Sequence, residues 1–206
     1  GGSKQLLSNT TAVEGTDVQL ITAFDSDGFS LGTSNDCNSS SDTFVGWCWK
    51  ESATAGFDIL LYTGNATNRT ISHSLSAVPE VVIVKRRDDT TAWSSLHLTN
   101  ASATTLDNTD RMVLNDTAAK EDDATFWQDT DPTSSVFSLG TSSSTNVNTG
   151  TYVAYLWAPK QGFSKFGSFD VASGDADGPF CYCGFRPAFI MVISIVDGTN
   201  WCIVDN

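Results

Sequence analysis

The chain has 206 residues, a mass of 22.0 kDa and a net charge of −13, with charged side chains making up 17% of it. That length admits one large or two small domains with a buried core. The acidic balance opposes nucleic acid and anionic membrane as partners, because every phosphate contact would begin against repulsion. Its 25 Ser, 25 Thr and 12 Asn stand beside 40% hydrophobic and 11% aromatic residues, which excludes a disordered composition and suits an extracellular β-protein.

In chain order, strands are predicted over 18–24, 42–49, 59–63, 80–85, 150–157 and 188–195, all rich in Val, Ile, Thr and aromatics. Asp27-Gly28, Gly64-Asn65, Ser173-Gly174 and Asp197-Gly198 read as turns. The runs 81–84 and 189–193 are continuously apolar, the pattern of strands buried on both faces. Helical periodicity is absent, and 118–122 offers one helical turn at most. The longest uncharged apolar stretch, 188–196, is too short to cross a bilayer. The opening Gly1-Gly2-Ser3, with no signal peptide, leads us to expect a processed product or a segment of something longer.

The chain repeats itself. Phe29-Ser-Leu-Gly-Thr-Ser34 recurs at an offset of 108 as Phe137-Ser-Leu-Gly-Thr-Ser142, and 10 of the 21 positions from 29 to 49 are identical in that register. Trp49 falls on Trp157, Pro79 on Pro187 and Trp93 on Trp201, while Gly56-Phe57 matches Gly162-Phe163 at an offset of 106. Short strands, polar turns and a repeat predict an all-β protein of two tandem β-sandwich, jelly-roll-like repeats of about 108 residues. The phase is circularly shifted: 1–54 reads as the closing half of one repeat, 55–160 as a complete repeat, and 161–206 as an opening half. Half a sandwich exposes an apolar face and free edges, so 161–206 is expected to pair with 1–54 in the same chain or in a neighbouring one. Trp49 and Trp157 are expected to be largely buried.

The stretches Phe24-Asp-Ser-Asp-Gly-Phe-Ser-Leu-Gly32, Asp42-Thr-Phe-Val-Gly-Trp-Cys-Trp-Lys50, Pro79-Glu-Val-Val-Ile-Val-Lys85 and Asp177-Gly-Pro-Phe-Cys-Tyr-Cys-Gly-Phe-Arg-Pro187 carry a resemblance. They resemble a tandem-repeat domain of unknown function found in tail-fibre-like structural proteins of marine and cyanobacterial phages and related environmental sequences. The resemblance implies a β-rich, non-enzymatic module of a virion or an extracellular filament, with copies of itself as partners. Cys181 and Cys183 stand where the family pattern leads one to expect Val and Thr.

Candidate sites are few. Cys37, Cys48, Cys181, Cys183 and Cys202 match no metal-ligand spacing; they read either as buried thiols on strands or as contributing at least one disulfide. Six sequons (Asn9, Asn38, Asn65, Asn68, Asn100 and Asn115) are glycosylation candidates, with Asn65, Asn68 and Asn100 favoured by their turn settings. His73 and His97 lie in no nucleophile motif. The acidic pairs Asp25/Asp27, Asp88/Asp89, Asp107/Asp110 and Asp129/Asp131, with 121–123, sit beside turn residues and read as solvated caps rather than glycosidase carboxylates. No cofactor is expected, although Asp175 and Asp177 in a Gly-flanked loop, and Asp25 with Asp27, are weak Ca²⁺ candidates. Trp127, which has no Trp counterpart in the other copy and sits in a polar context, is the candidate contact residue. The resemblance implies a structural fibre repeat, a reading that internal duplication without an unrepeated catalytic constellation favours over the alternative of a carbohydrate-binding adhesin and over a depolymerase.

Overall fold

The computed structural model describes residues 3–98, 109–171, 178–196 and 198–205. In chain order these hold β1 (Lys4–Gln5), β2 (Gly15–Thr16), β3 (Ile21–Phe24), β4 (Phe29–Leu31), α1 (Asn35–Asn38), β5 (Phe57–Thr63), β6 (Arg69–Ser72), β7 (Val81–Arg86), β8 (Ser94–His97), β9 (Arg111–Val113), α2 (Ala124–Trp127), β10 (Val136–Leu139), α3 (Ser143–Asn146), β11 (Thr151–Trp157), β12 (Phe189–Val192) and β13 (Cys202–Asp205). The protein is all-β in substance, with three single helical turns among the described residues.

The centre is an antiparallel five-stranded sheet in the order β5-β11-β7-β8-β9, accompanied by the antiparallel pair β10-β6. Alternation along the strands sends Tyr152, Ala154 and Leu156 of β11, Val82 and Val84 of β7 and Leu96 of β8 to one face. They meet Ile71 of β6, Phe137 and Leu139 of β10, and Phe126 and Trp127 of α2 in one core. β7 is covered on both faces, as its continuous apolar run predicts.

Several expectations are corrected. Residues 42–49 are not a strand in the structure, because a strand needs a ladder and no described strand pairs with them. The 18–24 prediction shrinks to β3, and 188–195 to β12, whose Phe189 and Ile190 are exposed rather than buried on both faces. No helical turn forms at 118–122: Glu121 is extended and exchanges backbone bonds with Arg111, and the turn starts later, where Asp123 accepts from the Thr125 N–H at 2.8 Å. Gln128 then ends α2 in the left-handed conformation, its Nε2 donating to Arg69 O and Leu139 O. Trp127 is thereby rotated into the core, 1% exposed, and cannot be a contact residue. Asp110 is also buried, paired with Lys120 at 2.5 Å, and so is not a solvated cap. Trp49 is 49% exposed, so the expected burial holds on neither side fully: Trp157 is only half-buried.

The terminal segments repeat central features in detail. β12 pairs with β13 in the register Phe189↔Asp205 to Val192↔Cys202; β7 pairs with β8 as Val81↔His97 to Val84↔Ser94, every partner displaced by 108. α1 and α3 are likewise 108 apart, and in each the last Asn donates from Nδ2 to a glycine carbonyl at 2.7 Å, Asn38 to Gly32 and Asn146 to Gly140. Both glycines are needed, since a Cβ would lie 2.1 Å from Gln19 O at Gly32 and 2.2 Å from Thr125 O at Gly140. Gly56 and Gly162 share a left-handed backbone, φ +75° and +76°.

Candidate association surface

The second face of the five-stranded sheet is where the terminal segments attach. It presents Phe57, Ile59 and Leu61 of β5, Val153, Tyr155 and Trp157 of β11, Val81, Ile83 and Lys85 of β7, and Ser95 and His97 of β8. An aromatic row crosses it: Trp93 to Tyr155 at 6.2 Å, Tyr155 to Trp157 at 6.3 Å, and Trp157 to Phe57 at 5.1 Å. Residues 7–14 cover one side. Trp93 Nε1 donates to Leu7 O at 3.1 Å and Thr10 O at 3.2 Å, and Glu14 N donates to Arg87 O at 2.8 Å. The Lys85 amine is fully buried beneath this segment and donates to the carbonyls of Arg86 at 2.7 Å, Thr11 at 3.3 Å and Asp89 at 3.5 Å. Burial holds that amine below its ordinary pKa. The Arg87 guanidinium, 2.5 Å from Glu14, holds the glutamate carboxyl below its usual range.

The opposite end makes the same contacts with the roles exchanged. Trp201 Nε1 donates to Val113 O at 3.1 Å, and Lys120 N donates to Ile195 O at 3.0 Å. Trp201 and Ile195 follow Trp93 and Arg87 at the repeat offset of 108, and Val113 and Lys120 follow Leu7 and Glu14 at the offset of 106. The offset of 106 also carries Gln5↔Gly15 onto Arg111↔Glu121. It carries the Lys4–Glu14 ion pair onto Asp110–Lys120 with both signs reversed. Reciprocal contacts between exchanged halves are the pattern that a two-fold axis produces. Trp49 and Trp157, equivalent by sequence, touch each other at 6.2 Å, as residues on such an axis do.

Sequence reasoning missed this surface. Between 3–20 and 109–126 only Asn9/Asn115, Thr11/Thr117, Ala12/Ala118 and Asp17/Asp123 are identical at the offset of 106. The usable signal was Asp17 and Asp123, each accepting from the N–H two residues on at 2.8 Å.

The other candidates scatter. His73 Nε2 meets Thr133 O at 3.1 Å at the end of β6, far in the chain from His97. Asp88 and Asp89 both pair with Arg86, Glu121 pairs with Arg111, and Asp25 accepts from Ser30 Oγ at 2.7 Å. All five cysteines are free thiols, with no pair joined in the structure; Cys37 and Cys183 are half-buried, Cys48, Cys181 and Cys202 are exposed, and Cys202 lies in β13. Asn9, Asn38, Asn65 and Asn68 are exposed, whereas Asn115 is half-buried and accepts from Trp93 N at 2.7 Å. Asn100, Asp107, Asp175, Asp177, Ser173-Gly174 and Asp197 lie outside the described residues. Among the described residues no three His, Cys, Asp or Glu side chains gather to hold a metal ion, and no helix is long and apolar enough to cross a membrane. A cavity of about 420 Å³ beside Glu80, Lys165 and Tyr182 has its lysine tied to Tyr182 O at 2.5 Å.

His97 gives this surface a pH dependence. It lies 6.1 Å from the Trp201 ring, and burial pushes its pKa down to about 4 from an ordinary 6.5. The unfolded chain therefore binds the proton first, so stability is full above pH 6.5 and falls as pH drops toward 4. We expect a loss of roughly 2–3 kcal/mol over that window, discounted for partial exposure. His97→Asn should flatten the denaturation midpoint between those pH values; an unchanged slope would place the effect elsewhere.

A sheet-based scaffold with reciprocal packing defines an all-β protein whose duplicated features are packing contacts. The chain belongs to the family described as Domain of unknown function (DUF7483), whose family model matches residues 1–206. No curated protein and no solved structure matches it.

Proposed function

We propose that the chain is a non-enzymatic structural repeat of a viral tail fibre or another extracellular filament. It is built as two tandem jelly-roll-like sandwich units whose phase is circularly shifted along the chain. One observation carries this reading: the contacts duplicated across the chain are scaffold contacts, Trp93/Trp201 and Glu14/Lys120, rather than a reactive constellation. Copies of the chain are its partners, and the sequon-rich acidic surface suits a virion or extracellular setting. Electron microscopy of the purified chain at rising concentration tests it. Fibres with a uniform axial repeat are expected; dispersed particles at every concentration would overturn it.

The exposed Trp47 and Trp49, 46% and 49% accessible, favour a second reading as a carbohydrate-binding adhesin module. Binding on a glycan array that is lost in Trp47→Ala would support that reading.

A further inference from the structure

The terminal segments expose side chains whose counterparts in the central repeat are fully buried. Phe29 and Leu31, each 43% exposed, correspond to Phe137 and Leu139, at 1% and 0%. Exposed Phe44, Ile190 and Val204 correspond to buried Tyr152, Val82 and Leu96. Four of the five cysteines also have core counterparts: Cys48 and Cys202, exposed, and Cys37 and Cys183, half-buried, correspond to Leu156, Ser94, Thr145 and Leu75, none more than 1% exposed. Cys181 alone corresponds to a residue outside the core, His73.

We propose that residues 43–49 and β12 of the same chain are the two sides of one ladder, which closes a second sandwich whose core holds Cys37, Cys48, Cys183 and Cys202. The register follows from the central unit. Trp157↔Val81 and Leu156↔Val82, moved by 108, give Trp49↔Phe189 and Cys48↔Ile190. This alternation sends Phe44, Gly46 and Cys48 inward and Val45, Trp47 and Trp49 toward the central unit.

Two observations make the partner the chain's own segment rather than a second copy. The N-terminal half attaches to the central unit through Leu7 and Glu14, and the C-terminal half through Trp201 and Ile195, as exchanged versions of one contact set. A single two-fold operation thus places both halves where one unit belongs. Trp47 already lies edge-on to Phe189 at 5.3 Å, a diagonal pair on the same face in the proposed register. Closure buries the apolar surface that the open ends leave in water. It also forbids a glycan on Asn38, whose counterpart Asn146 is fully buried. The inference rests on the two-unit architecture proposed above but not on fibre formation, so a micrograph without fibres leaves it standing.

Thiol labelling of the native full chain tests it, using a maleimide pulse read out for each cysteine by mass spectrometry. The sample is kept at dilutions where sedimentation shows a monomer. Cys181 should label as a free thiol, and Cys37, Cys48, Cys183 and Cys202 about a hundredfold more slowly, all five becoming equal in denaturant. Cys48 and Cys202 labelling as fast as Cys181 would overturn the closure. Protection that appears only in oligomers would overturn the choice of the chain's own segment and assign the ladder to a second copy.

Discussion

Truncating Trp127 to alanine is expected to cost about 3–5 kcal/mol, the range for removing a fully buried large aromatic side chain. Trp127 is 1% exposed and packs among Ile71, Phe126, Phe137 and Leu139 in the core between the sheet and the β10-β6 pair. Its Nε1 finds no hydrogen-bond partner among the described residues, so the indole contributes volume rather than polarity. Trp127→Phe should accordingly cost much less, about 1–2 kcal/mol. Denaturant midpoints of the two variants check this. A Trp127→Ala loss under about 0.5 kcal/mol, the usual size for a surface change, would return the residue to the surface role its sequence context implied.

Asn146→Ala is the second large effect. The Asn146 amide donates to Gly140 O at 2.7 Å and Thr67 O at 2.8 Å, and its Oδ1 accepts from Asn65 N at 3.0 Å. One side chain thus ties α3 to the β5–β6 turn and to the end of β10. Alanine would remove three hydrogen bonds made by a fully buried side chain and leave the buried Gly140 carbonyl without its Asn146 donor, for a loss of about 2–4 kcal/mol. Asn38→Ala is a built-in comparison. In the open form it removes only the bond to Gly32 O, worth about 1 kcal/mol. In a closed second unit it should approach the Asn146 value, and denaturation of the paired variants distinguishes the two.

Three strands of the five-stranded sheet, β5, β7 and β11, were legible in the sequence because they are rich in Val, Ile, Thr and aromatics, whereas β6, β8, β9 and β10 were not predicted. The run at 81–84 answers to one local pattern, a continuous apolar stretch covered on both faces. The repeat was legible because its longest identical stretches, 29–34 and 137–142, are built around Gly32 and Gly140, where neither backbone leaves room for a Cβ. What escaped was set by partners distant in the chain. Residues 43–49 carry a pattern similar to 151–157, but only 151–157 has ladder partners in the structure, and such partners are not encoded locally. Trp127 was misplaced because its neighbours Gln128 and Asp129 are polar; Gln128 instead caps α2 and turns the indole inward. The attachment surface stayed hidden because it is made largely by backbone carbonyls, of Leu7, Arg87, Val113 and Ile195, which accept whatever the side chains are. The ion pairs Lys4–Glu14 and Asp110–Lys120 have opposite polarity at equivalent positions, so matching residue types between the two segments could not reveal the contact.

Amide hydrogen exchange resolved by residue tests most directly the claim that the two halves of the chain form one reciprocal pair. The Glu14 and Lys120 amides, bonded to Arg87 O and Ile195 O, should exchange slowly and to a similar degree, and 44–49 should be protected alongside 152–157. Protection confined to 152–157, with Glu14, Lys120 and 44–49 exchanging at the rate of an unstructured peptide, would contradict the account.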